Sequence, residues 1–171
     1  LLMSGFMLLV SHLGEMDPSI TPRMPVLNSP LLSIHVSIIM ISYALLSLTF
    51  ISAIAYFLTC NSKRESIMAA NRQLTVLSQI FLYPAITTLG LGIFIGAIWA
   101  NISWGSYWGW DPKETWALIT FMIYAIPLHT NSFSALGKPK NYHLFMLLSF
   151  FSILMTYFGV NYILGGMHSY A

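Results

Sequence analysis

The sequence predicts an all-α fold, a polytopic bundle of transmembrane helices with an external tryptophan-rich segment. Three observations predict it. The 171 residues are 57% hydrophobic and only 7% charged, with a mean hydropathy of +0.74; a soluble domain carries about 25% charged residues. Several apolar runs approach or exceed the ~20 residues that cross a bilayer as helix. Between two of these runs lies the stretch Trp104-Gly-Ser-Tyr-Trp108-Gly-Trp110-Asp111-Pro112-Lys113-Glu114-Thr-Trp116, which holds four of the five tryptophans. The same composition excludes other classes. A net charge of +2 is too small to suggest nucleic acid. The single cysteine, Cys60, excludes an internal disulfide and any Cys-x-x-Cys redox or zinc site. The Cys-x-x-Cys-His of a c-type cytochrome is absent from the sequence as well.

Residues 1–171 read as one membrane domain embedded in lipid. The chain starts at Leu1 inside an apolar run that lacks the basic flank of a signal peptide, so residues 1–13 read as the tail of a truncated helix. Residues 14–30 form an external loop, because Pro18, Pro22, Pro25 and Pro30 forbid a continuous helix. Spans follow at about 31–58, 80–100, 115–133 and 143–164, with 59–79 and 134–142 as connections and 101–116 as the external tryptophan segment. Lys63, Arg64, Arg72, Lys138 and Lys140 fall on one side of this arrangement, and only Arg23 and Lys113 on the other. The positive-inside bias puts the first group in the cytoplasm or its equivalent. The proline-rich loop, the tryptophan segment and the C-terminus are then external. The third span has a readable start: Asp111 can cap it, Pro112 suits the first helical position, and Glu114 completes a capping box.

That helix-start chemistry accounts for Asp111, Pro112 and Glu114, but not for the tryptophans. A lone interfacial tryptophan such as Trp99 reads as an anchor or as packing. Three tryptophans within seven residues, interleaved with Gly105 and Gly109, read instead as a platform for a flat apolar ligand. On a helix, Trp104, Trp108 and Asp111 would share one face, beside a strip where Gly105 and Gly109 let the ligand approach the backbone.

The histidines sharpen the reading. His35 lies at the outer end of the first full span, and His168 follows Gly165-Gly166 after the last span, on the same side. Each alone suits an ordinary interfacial hydrogen bond. Together, beside an aromatic platform, two imidazoles match the ligand set of a six-coordinate haem iron. His129 sits ~21 Å below the outer surface at 1.5 Å per residue. An ionisable side chain at that depth is a functional candidate, against the bland reading of a neutral histidine bonded to a neighbouring helix. No second histidine falls at a matching depth. His143 reads as a snorkelling polar residue at the inner end of the last span, and His12 as incidental.

Trp104-Gly-x-x-Trp108-x-Trp110-Asp111-Pro-Lys-Glu-Thr-Trp116 closely resembles the WWD signature of haem-handling proteins of cytochrome c maturation, and its continuation is similar to the System II cytochrome c synthase subunit, of CcsA or ResC type. The resemblance extends over Pro25-x-Leu-x-Ser29-Pro-x-Leu-x-x-His35-Val, Pro127-x-His129, Gly-Val-Asn161 and Gly166-Met-His168-Ser-Tyr170. It implies that His35 and His168 ligate the iron of haem b beside the WWD segment. It implies that Trp104, Trp108, Trp110, Asp111 and Trp116, with Gly105 and Gly109, hold the haem and present its vinyl groups. His129 is implied as one of two intramembrane haem ligands. The resemblance further implies apocytochrome c as partner, a CcsB or ResB protein or fused domain, and a bacterial inner membrane or, alternatively, a thylakoid.

The activity implied is that of a haem lyase, joining haem vinyls to the thiols of an apocytochrome Cys-x-x-Cys-His, exercised together with the CcsB or ResB part. The chain's contribution would be positioning. The alternatives are a haem exporter or chaperone without ligation, and a bis-histidine electron-transfer cytochrome b. The latter needs histidines paired at matching depth on two helices. A solute transporter is a further reading that only His129 supports.

Overall fold

A computed structural model of the chain describes residues 29–129 and 133–164. The expectations for residues 1–13, the proline-rich loop before Ser29, His12 and His168 lie outside the described residues. Four helical elements make up the rest: α1 (Pro30–Thr59), α2 (Glu65–Trp104), α3 (Pro112–Ala125) and α4 (Pro139–Leu154). A 3₁₀ turn, Ile126–His129, extends α3, and ten residues of π-helix, Met155–Leu164, extend α4. No strand occurs among the described residues.

Among the described residues, three helices are long and apolar enough to cross a membrane: Pro30–Thr59, Glu65–Trp104 and Pro139–Leu164. Their outer faces carry exposed Phe94, Leu148 and Phe151, a surface suited to lipid and costly in water. α3 is short for a span. Pro127 has no N–H to give the Ile123 carbonyl, and the amide of Ile126 takes that carbonyl in a tighter turn instead. With the 3₁₀ turn the element still reaches ~29 Å, close to the hydrocarbon thickness. The 3₁₀ turn runs to His129, and residues 130–132 of the expected span lie outside the described residues.

α2 departs most from expectation. It starts at Glu65, so most of the expected connection 59–79 is helix. Its 40 residues rise ~60 Å, about twice the bilayer core. The polar first turns therefore belong to a helix that projects beyond the apolar layer. Pro84 sits inside it and leaves one rung of its ladder unmade.

The helices alternate in direction. His35 near the start of α1 meets Gly92 in the last third of α2, while Thr59 at the end of α1 meets Asn71 near the start of α2. One end of the bundle thus gathers the start of α1, the end of α2, the start of α3 and the π-helical end of α4. Lys63, Arg64, Arg72, Lys138 and Lys140 belong to the segments at the opposite end. Leu46, Ala53, Leu82, Leu89, Tyr124, Tyr142 and Met146 fill the core.

Small residues let the helices approach, and short polar side chains bond across them, as expected where lipid supplies no hydrophobic drive between helices. The Ser42 hydroxyl donates to the Ala85 carbonyl at 2.8 Å. Ser78 Oγ lies 3.2 Å from Tyr142 Oη, and Thr120 Oγ1 lies 3.1 Å from Thr156 Oγ1.

Candidate functional site

The tryptophan segment is built from two helix ends and a tight loop. α2 stops at Trp104 because Gly105 adopts a left-handed conformation at φ 78°, and its amide donates to the Asn101 carbonyl at 2.9 Å. α3 starts with the expected capping box. Asp111 Oδ2 accepts from the Lys113 amide at 3.1 Å, and Glu114 Oε2 accepts from the Asp111 amide at 3.3 Å. The same Glu114 oxygen accepts from the Gly109 amide at 2.9 Å. One carboxylate thereby ties the loop to the helix it precedes. Trp110 is left-handed too, at φ 55°, a conformation costly to a bulky residue. Its indole is 71% exposed.

The helical platform expected over Trp104, Trp108 and Asp111 is not adopted, because Gly105 ends the helix and residues 105–111 form the loop. The indoles go to different places. Trp104 packs edge-on against Trp99 at 4.8 Å, and Trp99 is fully enclosed. Trp108 packs edge-on against Trp110 at 5.9 Å. Trp116 is half-buried one turn into α3, and its carbonyl accepts from Thr156 Oγ1 at 3.3 Å. Asp111 is buried and committed to the cap. Gly105 has open space where a Cβ would stand; the amide of Gly109 is held by Glu114.

A cavity of about 200 Å³ opens at this end, lined by residues of all four elements, among them His35, Tyr43, Gly96, Trp108, Lys113 and Thr156. His35 is set into it from α1. Its Nδ1 lies 2.8 Å from the Gly92 carbonyl. A carbonyl only accepts, so Nδ1 donates, and a neutral ring in this position would carry its lone pair on Nε2. A histidine that ligates a metal through Nε2 needs this tautomer, and a backbone carbonyl commonly fixes it. The ring lies close against the α2 backbone: a Cβ at Gly96 would stand 2.6 Å from Cε1 and 2.8 Å from Nδ1. Gly92-x-x-x-Gly96 thus makes the seat of the imidazole. The sequence reading missed both glycines, although a Gly-x-x-x-Gly spacing in an apolar helix is a known sign of close approach.

Lys113 supplies the cavity's cation. Its Nζ donates to Asn161 Oδ1 at 2.9 Å, joining the start of α3 to the π-helical end of α4. Burial pushes its ammonium below the usual lysine range, an effect the Asp111 carboxylate partly opposes. Tyr43 and Thr156 add hydroxyls to a wall that is otherwise largely apolar.

His129 is elsewhere. It ends the 3₁₀ turn at the opposite end of the bundle, with an exposed side chain. The histidine read as a snorkelling residue, His143, is buried at that same end. Its ring stacks on Tyr56 at 4.3 Å, and Nε2 lies 3.0 Å from Thr75 Oγ1. Its neighbours come from α1 and α2, so only the folded arrangement reveals its burial.

Comparison with known proteins agrees with these observations. Residues 1–168 match the cytochrome C assembly protein family. The chain belongs to that family. It is 45% identical over 178 residues to protein NrfI of Wolinella succinogenes, an alignment covering 100% of this chain and 19% of NrfI. It is 35% identical over 196 residues to the cytochrome c biogenesis protein CcsA of Cyanophora paradoxa, covering 88% of this chain and 61% of CcsA. The CcsA of Chlamydomonas reinhardtii is 37% identical over 153 residues, covering 88% of this chain and 43% of that protein. The chain therefore spans between a fifth and three fifths of the length of these relatives. Membership of the cytochrome c assembly family places the chain in c-type cytochrome biogenesis, on a membrane-embedded helical fold.

Proposed function

We propose that this chain holds haem b at the tryptophan-bearing end of its bundle for thioether attachment to the Cys-x-x-Cys-His of an apocytochrome c. The observation that carries the reading is the cavity in which one seated imidazole, an indole and an ammonium meet. The residues fit the substrate. His35 offers Nε2 to an iron, Trp108 and Tyr107 offer flat apolar faces, and the remaining wall is largely aliphatic. The volume lies below the ~300–1,000 Å³ of pockets that engulf a drug-sized ligand. A macrocycle would therefore be gripped by one edge and project its other edge outward, as presentation to a second protein requires.

His168 is the proposed second iron ligand, and His129 a ligand at a separate, inner haem site. Trp104, Trp110, Asp111, Trp116, Gly105 and Gly109 are proposed to shape the holding surface, Asp111 by fixing the loop. Attachment is an addition: the thiol sulfur bonds to the inner carbon of a vinyl group, and a proton goes to the terminal carbon. It is redox-neutral at the carbons involved. The chain's part in it is to hold the plane, exclude water and fix geometry. The synthase activity is proposed to require a CcsB or ResB partner. The tryptophan end is proposed to face outward from a bacterial inner membrane or into a thylakoid lumen, opposite the lysine- and arginine-rich end.

Co-expression of the protein and its partner with an apocytochrome c tests this. Covalent haem on the apocytochrome, measured by intact mass, should appear with the wild type and fall at least tenfold with Trp108→Ala, while that variant keeps its helical circular dichroism. Haem bound to the apocytochrome without thioether bonds would mean delivery rather than ligation. Normal maturation by Trp108→Ala would remove the indole from the mechanism.

A further inference from the structure

Arg72 is the last charged residue of α2; none follows it up to Trp104. At 3.6 residues per turn, Arg72, Val76, Ile80, Tyr83, Leu91 and Phe94 share one face of the helix. All six are exposed. The outward face of α2 therefore runs apolar from Val76 onward and ends at a guanidinium. A groove on this face is lined by Arg72, Gln73, Val76 and Leu77, with two polar side chains at one end and two aliphatic ones a turn further in. The level of the groove is set by α1. Thr59 Oγ1 lies 2.7 Å from Asn71 Oδ1, which puts the last turn of α1 beside Arg72. That turn carries Leu58, 81% exposed, and exposed Lys63 and Arg64 come after it. On both helices the apolar surface gives way to cations at one level, as at the headgroup layer of a bilayer. Among the described residues of this end the one carboxylate is Glu65, ~10 Å further along the helix from the apolar face.

We propose that this groove is a site for an anionic phospholipid of the leaflet at the basic end. Arg72 holds the phosphodiester, and an acyl chain lies along Val76, Ile80 and Tyr83. The two ends of the groove define the ligand class. The forked N–H groups of a guanidinium suit a phosphate, and the apolar face one turn away suits hydrocarbon. A free anion would leave Val76 and Leu77 uncovered. A zwitterionic lipid brings the same phosphate, but its ammonium meets Lys63, Arg64 and Arg72 as like charge. A headgroup of net negative charge meets attraction from all three. Each basic residue near a membrane surface favours anionic lipid by about fivefold, and the groove gives that attraction a bounded place. The positive-inside bias assigns it to the cytoplasmic or stromal leaflet.

The test uses the protein purified in detergent and exchanged into mixed micelles with equal amounts of phosphatidylglycerol and phosphatidylcholine. Native mass spectrometry counts the lipids retained on each chain. The wild type should retain one phosphatidylglycerol in preference to phosphatidylcholine. Arg72→Gln should reduce that preference about fivefold, and Arg72→Lys should keep part of it. Val76→Ser combined with Leu77→Ser should also reduce it, although no charge changes. Lys140→Gln removes one charge from the start of α4 at the same end and should leave the preference intact. Helical circular dichroism checks that each variant is folded. A wild type without preference for phosphatidylglycerol overturns the proposal, and so does an unchanged preference in Arg72→Gln. Equal losses in Arg72→Gln and Lys140→Gln overturn it in favour of a diffuse basic surface. A serine pair without effect overturns the groove as the site.

Discussion

At the scale of single residues, two features fix the imidazole of His35, the proposed iron ligand: the Gly92 carbonyl holds its Nδ1, and the missing side chain of Gly96 gives it room. Gly96→Ala places a methyl in contact with the ring and must turn it away from the Gly92 carbonyl. Helix propensity alone would favour the alanine by ~1 kcal/mol, so the helix itself should not suffer. The expected outcome is a loss of haem occupancy or a shifted Soret band at unchanged helical content. Gly90→Ala is the matched control. Its Cβ would meet only the Phe121 ring, at 3.2 Å, remote from the imidazole, and it should keep haem. Equal haem retention by the two variants would show that the seat has no role. His35 was legible in the sequence, because a histidine at the edge of an apolar run is conspicuous. His143 was misread as a surface residue, because hydropathy along one helix cannot register the Tyr56 ring and the Thr75 hydroxyl that other helices bring to it.

At the scale of elements, one carboxylate ties the loop from Gly105 to Asp111 to the helix that follows it. Glu114 closes the capping box and also holds the Gly109 amide. Glu114→Ala should cost ~0.5–2 kcal/mol, in the range of lost N-caps, and should speed proteolysis within residues 105–111. Glu114→Gln should recover part of the loss, since a glutamine can still accept these bonds. Thermal unfolding of the three proteins in one detergent checks the order. The capping box was legible because its signature is local: Asp, Pro and Glu at fixed spacing. The shape of the tryptophan segment was not. Its spacing of 4 and 3 fits a helix face, yet α2 ends in a left-handed turn at Gly105, leaving Trp104 packed against Trp99 and Trp108 at the cavity. The start of α2 was missed for a related reason. Hydropathy measures fitness for lipid, and the residues after Glu65 are polar but form good helix outside the apolar layer.

At the scale of the whole molecule, one end carries the indoles and the cavity, and the other carries five of the seven lysines and arginines. That polarity was legible from composition and span order alone, because lipid permits little besides helices that alternate in direction. It also predicts sidedness. Cys60, in the turn between α1 and α2, should react with a membrane-impermeant maleimide only from the cytoplasmic or stromal side. Trp110→Cys in a Cys60→Ser background should react only from the opposite side. Labelling of both from one side would contradict the arrangement. The central claim is that His35 and His168, 133 residues apart in sequence, ligate one iron beside the indoles. Absorption and electron paramagnetic resonance spectra of the purified protein and its two His→Ala variants test it most directly. The account predicts a low-spin, six-coordinate iron in the wild type and loss of that state in each variant; an unchanged spectrum in both would contradict it.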